Sequence, residues 1–141
     1  MDKDIYPGVF VRVKAIVMDA IVLLVFMALA SYLFSLFVKV PDFARVAAFI
    51  FIFLLYDPIF TSSFGGTFGH MMVGIRVRRS SDVTRNILIH KTLLRSLVKG
   101  TLGEISLLTI AFNDKNKAIH DYVAGSIVVY VTEPLVYASE I

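Results

Sequence analysis

The sequence has no cysteine among its 141 residues, and charged residues make up only 18% of it. The lack of cysteine excludes disulfide bridges, thiolate metal sites and cysteine nucleophiles. The charged fraction is low, since a soluble domain has about 25%. Apolar residues are abundant instead: the chain is 57% hydrophobic, with 12 Phe and 6 Tyr, which excludes intrinsic disorder. A mean hydropathy of +0.79 is typical of a membrane protein, and the length predicts a single membrane domain over residues 1–141.

The first long apolar run covers residues 16–38, with Asp19 as its only charge. Its 23 residues would reach about 34 Å as a helix, against a hydrocarbon core of roughly 30 Å. A cleavable signal peptide is the alternative, because basic residues precede the run and Ala28 and Ala30 have the small-x-small spacing of a cleavage site. The run continues past Ala30 to Val38, which favours a membrane span.

A second apolar run covers residues 43–60 and contains Asp57 close to its end. Only residues 39–42 separate the two runs, and Pro41 among them disfavours a continuous helix. The sequence therefore predicts a transmembrane hairpin of two helices. Residues 61–99 hold seven Lys and Arg against Asp82 alone, so the positive-inside rule predicts a cytoplasmic N-terminus and a hairpin tip on the outer side.

Beyond the hairpin the apolar residues alternate with polar ones. Val73, Ile75 and Val77 occupy every second position of this segment, and this alternation predicts a strand. Residues 126–132, SIVVYVT, are the other strongly β-branched stretch and are its natural pairing partner. We therefore expect a short, cytoplasmic, two-stranded β-ribbon.

Residues 87–99 predict a basic amphipathic helix at the membrane interface, because Lys91, Arg95 and Lys99 share one helical face. Asn86 is the expected N-cap, and Gly100 is expected to interrupt the helix. A short apolar helix over residues 104–112 would then dip into the membrane and return, giving an interfacial or re-entrant region over 87–112. A full third span over 93–112 is disfavoured, because each charge near the bilayer centre costs about 2.5–3.5 kcal/mol.

Asp19 and Asp57 are the candidate functional residues inside the spans. Both are expected near the cytoplasmic boundary, at a similar depth on adjacent helices. An ionisable side chain in a span is a functional hypothesis by default, here an ion or proton site. The alternative is structural: Asp19 pairs with Arg12, which lies on the same helical face, or with a later arginine, and so holds the helices together. Both interpretations stay open.

Other chemistry finds little support in the sequence. Gly65, Gly66, Gly69 and Gly74 are not followed by the Lys-Ser/Thr of a phosphate loop. The three histidines are not at a ligand spacing, and no nucleophile elbow is present. We therefore expect no enzyme, no metal, no cofactor and no nucleic-acid partner.

Four motifs, in order along the chain, resemble the RDD family of small bacterial membrane proteins. They are Arg12-x-x-Ala15-x-x-x-Asp19, GGTFGHMMVGIRV at 65–77, LLR at 93–95 and IHDYVAGSIVV at 119–129. The resemblance implies that Arg12, Asp19 and Asp121 are the arginine and two aspartates that name the family. It also implies a multi-pass protein of the bacterial inner membrane. Two departures are His70, where the family usually has Lys, and a basic run before His120 that is thinned to Lys115 and Lys117.

The resemblance makes a charge cluster at Asp121 plausible, with Arg12 or Arg95 as its partner. Gly125 would then allow a tight entry into the last strand. Two functions remain open. In the first, the protein forms a homo-oligomer that passes a small solute or ion, with Asp19 and Asp57 as the site. In the second, it is a non-enzymatic subunit that docks on another membrane protein, or on anionic lipid through Lys91, Arg95 and Lys99.

Overall fold

The computed structural model describes residues 5–131, apart from the side chain of Glu104. Lys3 of the basic N-terminal flank and Thr132 at the end of the expected second strand lie outside the described residues. The elements in chain order are α1 (Val9–Ser35), α2 (Asp42–Phe64), α3 (Phe68–Met72), β1 (Ile75–Arg79), α4 (Ile89–Leu102), a 3₁₀ helix (Gly103–Phe112), α5 (Ile119–Ala124) and β2 (Ser126–Tyr130).

The helices α1 and α2 are long and apolar enough to cross a membrane. Their 27 and 23 residues correspond to about 40 and 35 Å. Only 11% of the residues in the most apolar stretch of each are buried, so neither is the core helix of a globular protein. Both are longer than the predicted spans 16–38 and 43–60, because each extends past its apolar run into polar residues that the protein buries at one end of the hairpin.

The two strands pair antiparallel, as the sequence predicts. Ile75 lies opposite Tyr130, and Arg79 lies opposite Ser126. Gly125 has a φ of 62° at the end of α5, a left-handed conformation that glycine adopts without strain. Gly125 therefore provides the tight entry into β2 that was expected. One face of the sheet enters an apolar core formed by Ala15, Ile75, Val77, Ile87 and Val128.

The boundaries predicted for α4 are wrong at both ends. Its N-cap is Leu88, not Asn86, and the helix continues through Gly100 to Leu102. Asn86 bonds elsewhere: its amide donates to the carbonyl of Ser63 at 3.1 Å, and its side-chain oxygen accepts from Arg78. A glycine inside a helix costs only about 1 kcal/mol relative to alanine, so packing against other elements can keep the helix intact.

A 3₁₀ helix occupies the segment for which a short apolar helix was expected. Its residues Leu107 and Ile110 join Ala118 in a second apolar core, against which Val9 and Ile16 of α1 pack. The following helix α5 was not predicted, because its six residues are too few for a periodic pattern. The 3₁₀ helix, α5, α4 and the ribbon therefore gather around the N-terminal half of α1.

The hairpin tip, residues 36–41, lies at the far end of the spans from this group of elements. Arg12 near the start of α1 contacts Asp121, which fixes the C-terminal elements to the N-terminal end of the first span. A membrane around α1 and α2 would thus separate residues 36–41 from residues 113–118.

We expect single cysteines replacing Lys39 and Lys115 to label from opposite faces of the membrane. The chain has no native cysteine, so an impermeant maleimide on sealed vesicles of known orientation reports each position alone, and the wild-type chain is the blank. By the positive-inside rule, Lys115→Cys should react only from the cytoplasmic face. Reaction of both cysteines from one face would mean that the 3₁₀ segment crosses the bilayer.

Candidate functional site

The carboxylate of Asp121 is the centre of a buried group of charges. It is fully buried, and Oδ2 lies 2.5 Å from Nη1 of Arg12, while Oδ1 accepts from Nε of Arg95 at 3.1 Å. Oδ1 also accepts from the hydroxyl of Ser126 at 3.2 Å, and Oδ2 from the backbone N–H of Ala118 at 3.2 Å. Burial alone would raise the pKa of Asp121, but Arg12 and Arg95 outweigh it and hold that pKa well below its usual range.

Arg12 connects α1 to the loop before α5. Besides Asp121, its Nη2 donates to the carbonyl of Asn116 at 2.6 Å. Asn116 has a φ of 47°, a left-handed conformation that asparagine tolerates better than most residues. Its amide in turn donates to the carbonyl of Tyr6 at 2.9 Å. Arg12 and Asn116 thereby connect the segment before α1 with the loop before α5.

Asp57 of α2 is held by two cations of α4. Its Oδ1 lies 3.4 Å from Nη1 of Arg95, and its Oδ2 lies 3.2 Å from Nζ of Lys99. Thr61, one turn later, donates its hydroxyl to Oδ1 at 2.8 Å. Arg95 therefore bridges Asp57 and Asp121, and α4 is fixed between the second span and α5.

Asp19 is held by uncharged donors. Its Oδ1 accepts from the hydroxyl of Tyr56 at 2.8 Å and from the backbone N–H of Gly69 at 2.7 Å. Its Oδ2 accepts from the hydroxyl of Thr67 at 2.6 Å. Thr67 is also the N-cap of α3, so this carboxylate joins α1, α2 and α3. Hydrogen bonds to the ionised form are what allow a carboxylate to stay charged when it is buried.

Gly69 allows α3 to approach α1 closely. A Cβ at this position would lie 2.1 Å from the carbonyl oxygen of Ala15 and 2.6 Å from Cγ of Asp19. Both distances are too short for any side chain. The bond from the Gly69 N–H to Asp19 therefore depends on glycine.

Two buried histidines border these charges and stay neutral. Burial, reinforced by the positive charge of Arg95, lowers the pKa of both His70 and His120 to about 3. Because Thr67 donates its hydroxyl hydrogen to Asp19, it can only accept from Nδ1 of His70, which lies 2.5 Å away. His120 has Ser106 at 2.7 Å from Nδ1 and Asp121 at 3.6 Å from Nε2, so each histidine is oriented by a hydroxyl.

Six side chains thus form one group, which we call the charge cluster. Its members are Arg12, Asp19, Asp57, Arg95, Lys99 and Asp121. Three are cations and three are carboxylates, so the formal charges cancel while the two histidines are neutral. Buried charges are tolerated when they are paired and hydrogen-bonded. Five members are paired with an opposite charge, and Asp19 is hydrogen-bonded to three neutral donors.

The structure differs from the pairings expected for Asp19. Arg12 and Asp19 share a helical face, but Arg12 bonds to Asp121 and Asn116 while Asp19 bonds to three neutral donors. The Arg12–Asp19 pair is therefore wrong, because better-placed partners from distant segments take both side chains. The expected contact of Asp121 with Arg12 or Arg95 is confirmed, since both arginines contact it.

Asp19 and Asp57 also have separate partners in the structure. Asp57 binds Arg95 and Lys99, whereas Asp19 binds donors of α2 and of the segment leading into α3. Of the three basic residues expected on one outer face of α4, Arg95 is buried and Lys99 is half-buried, and Lys91 alone is exposed. Within residues 5–131, no group of three or more His, Asp or Glu is arranged to hold a metal ion.

Sequence reasoning missed Tyr56, Thr67 and Gly69 as the partners of Asp19. The sequence did contain a signal for Thr67 as a helix start, because threonine before a short apolar stretch is a typical helix N-cap. The sequence contained no signal for the role of Tyr56, since a tyrosine inside an apolar run is common in membrane helices. Their assembly around Asp19 depends on three-dimensional contacts between residues 37 to 50 positions apart.

Comparison with known proteins identifies one matching family. A family model described as the RDD family matches residues 6–125. No curated protein and no solved structure matches the chain. The matched stretch contains all six members of the charge cluster.

We expect Asp121→Ala to destabilise the protein by about 3–5 kcal/mol, because it leaves Arg12 as a buried, uncompensated charge and takes from Arg95 one of its two carboxylate partners. Chemical or thermal unfolding in detergent micelles measures the loss. The control is Asp82→Ala, which removes an exposed pair with Arg85 at 3.3 Å and should leave stability nearly unchanged. Similar losses in the two variants would contradict a central role for Asp121.

Gly69→Ala should lower stability by about 1–3 kcal/mol, the usual cost of overpacking a tight contact. Gly100→Ala is the matched control, because that helical glycine has nothing within 4 Å of an added Cβ and alanine favours a helix by about 1 kcal/mol. The two melting temperatures in the same detergent should therefore move in opposite directions. A neutral Gly69→Ala would mean that α3 does not need its close approach to α1.

Proposed function

The chain belongs to the RDD family, and we propose that it acts as a non-enzymatic membrane subunit whose two spans bind a transmembrane helix of a partner. Family membership and the two apolar helices indicate a membrane protein. We further propose that it is a multi-pass protein of the bacterial inner membrane, as the family resemblance implies, and the distribution of Lys and Arg supports a cytoplasmic N-terminus. The observation that carries the docking proposal is the open surface of the span pair.

The span pair leaves an apolar groove between α1 and α2. The groove has a volume of about 310 Å³ and is lined by Phe26, Phe51, Ile52, Leu55, Tyr56, Ile59 and Phe60. Helices associate in lipid through close packing, because lipid tails are as apolar as the side chains they would replace. A shaped groove of aromatic and branched side chains offers such packing to one further helix.

The charge cluster supports docking over conduction. Every carboxylate in the cluster already accepts from at least three donors or cations. An ion path needs ligands that exchange protein partners for the ion as it passes. A neutral cluster whose carboxylates are all engaged by internal donors is better suited to fixing the geometry of the spans.

Transport of a small solute or ion through an oligomer is the second candidate, and the Asp57–Lys99 pair favours it. The side chains of Asp57 and Lys99 are 15% and 25% exposed, so this pair reaches the surface of the span bundle. In an oligomer the pair would face a neighbouring subunit or a path between subunits. Two spans are too few to enclose a path alone, so transport requires self-association.

The docking proposal predicts that Ile52→Trp blocks assembly by filling the groove. A second copy is the first partner to test, by mass measurement of the purified chain in mild detergent and by cross-linking in native membranes. The control is Leu54→Trp, on an exposed part of α2 outside the groove. A wild-type chain that stays monomeric and uncross-linked, or equal effects of the two variants, would refute docking through the groove.

The transport candidate is tested by flux in proteoliposomes under a proton, sodium or potassium gradient. The double variant Asp57→Asn with Lys99→Gln keeps the cluster neutral, so it should fold better than either single variant. If the pair carries transport, the wild type conducts and the double variant does not. If the protein is a docking subunit, neither conducts, and the double variant still assembles.

A further inference from the structure

The helix α4 buries Thr92 and Arg95 and exposes most of its apolar side chains. Arg95 is 2% exposed, whereas Leu94 and Leu97 are 44% and 60% exposed. On the adjoining helix α5, Tyr122 is 56% exposed and Val123 is 47% exposed. This distribution is the reverse of that on a soluble protein's surface helix, and a continuous exposed apolar surface marks a binding site.

This apolar surface lies beside the spans and not beyond their ends. The hydroxyl of Thr92 is 3.2 Å from the carbonyl oxygen of Pro58, which is about 9 Å from the end of α2. The 3₁₀ helix that follows α4 packs against Ile16 of α1. The exposed face of α4 and α5 is therefore level with the inner part of the spans, where phospholipid acyl chains meet their headgroups.

Two lysines from different segments lie near the residues Ser80 and Gly125, where the ribbon ends. Nζ of Lys91 lies 4.0 Å from the position that a Cβ on Gly125 would take. Nζ of Lys117 donates to the hydroxyl of Ser80 at 2.6 Å, and the N–H of Ser80 donates to the carbonyl of Gly125 at 2.9 Å. Both ammonium groups thus flank the junction between Ser80 and Gly125, at the end of the ribbon.

Neither ammonium group has a carboxylate partner among the described side chains. Lys117 is only 8% exposed, and burial together with the charge of Lys115 lowers its pKa. A buried ammonium is normally paired with an anion. Among the described side chains, both ammonium groups are therefore available to an anion from outside the protein.

We propose that Lys91 and Lys117 bind the phosphate of an anionic phospholipid whose acyl chains lie on the exposed apolar face of α4 and α5. The ring of Tyr122, with Lys117 Nζ 5.4 Å from its centroid, lies where tyrosines are enriched at membrane interfaces. The adjoining apolar face distinguishes a lipid from a free phosphate ion. The site requires lipid alone and is independent of any partner helix.

The test is a titration of the purified full chain in neutral detergent with phosphatidylglycerol or phosphatidylcholine, followed by native mass spectrometry and melting temperature. Phosphatidylglycerol should bind more tightly and raise the melting temperature more. Each lysine removed should weaken its binding about fivefold, the contribution typical of a basic residue at an anionic membrane surface. Lys91→Gln and Lys91→Gln/Lys117→Gln test this, and rising salt should reduce the preference.

The matched control is Lys39→Gln/Arg45→Gln, which removes two exposed basic residues at the other end of the helix pair and the same net charge, and should bind like the wild type. Lys91 is exposed, so its single variant decides the result if the double variant does not fold. Equal binding of the two lipids, an equal loss in the control, or full competition by millimolar inorganic phosphate would each overturn the proposal.

Discussion

The carboxylate of Asp121 holds together four segments that are far apart in the chain. It contacts Arg12 of α1 across 109 positions and Arg95 of α4 across 26, and it also accepts from Ser126 of β2. In lipid the hydrophobic effect does little to bring helices together, so hydrogen bonds and close packing must specify their arrangement. Without this carboxylate, the buried side chains of Arg12 in α1 and Arg95 in α4 would lose the anion that lies between them. The ribbon would also lose the hydrogen bond through which Ser126 is connected to α1 and α4.

Neutrality explains why the cluster contains so many members. One pair of buried charges is at best marginally stabilising, because desolvation offsets most of the Coulomb attraction. Arg95 contacts two carboxylates, and Lys99 contacts the second oxygen of Asp57, so every ion of the group except Asp19 has a counter-charge in contact, and Asp19 is stabilised by three neutral donors. Neutral His70 and His120 fit the same rule, because a proton on either would add a positive charge to a group that already balances.

The sequence predicted the elements whose signal is local. The two apolar helices follow from hydropathy, the ribbon from alternation in 73–77 and 126–132, and the contact of Asp121 with arginine from a family resemblance. The partners of Asp19 could not be predicted, since they depend on how α3 returns to α1. The orientation of α4 was misjudged because a helical wheel shows that Arg95 and Lys99 share a face but not whether that face meets water or carboxylates.

The charge cluster fixes the span pair at one end only. Asp19, Asp57 and their partners lie in the part of α1 and α2 nearest the ribbon, whereas the rest of each helix is largely exposed to its surroundings. The angle between the helices, and hence the shape of the groove, is therefore set by polar contacts that involve Tyr56 alone among the groove residues. A partner helix would bind to a preformed shape, which reduces the entropy lost on association, so a substitution in the cluster would weaken docking without touching any residue in the interface.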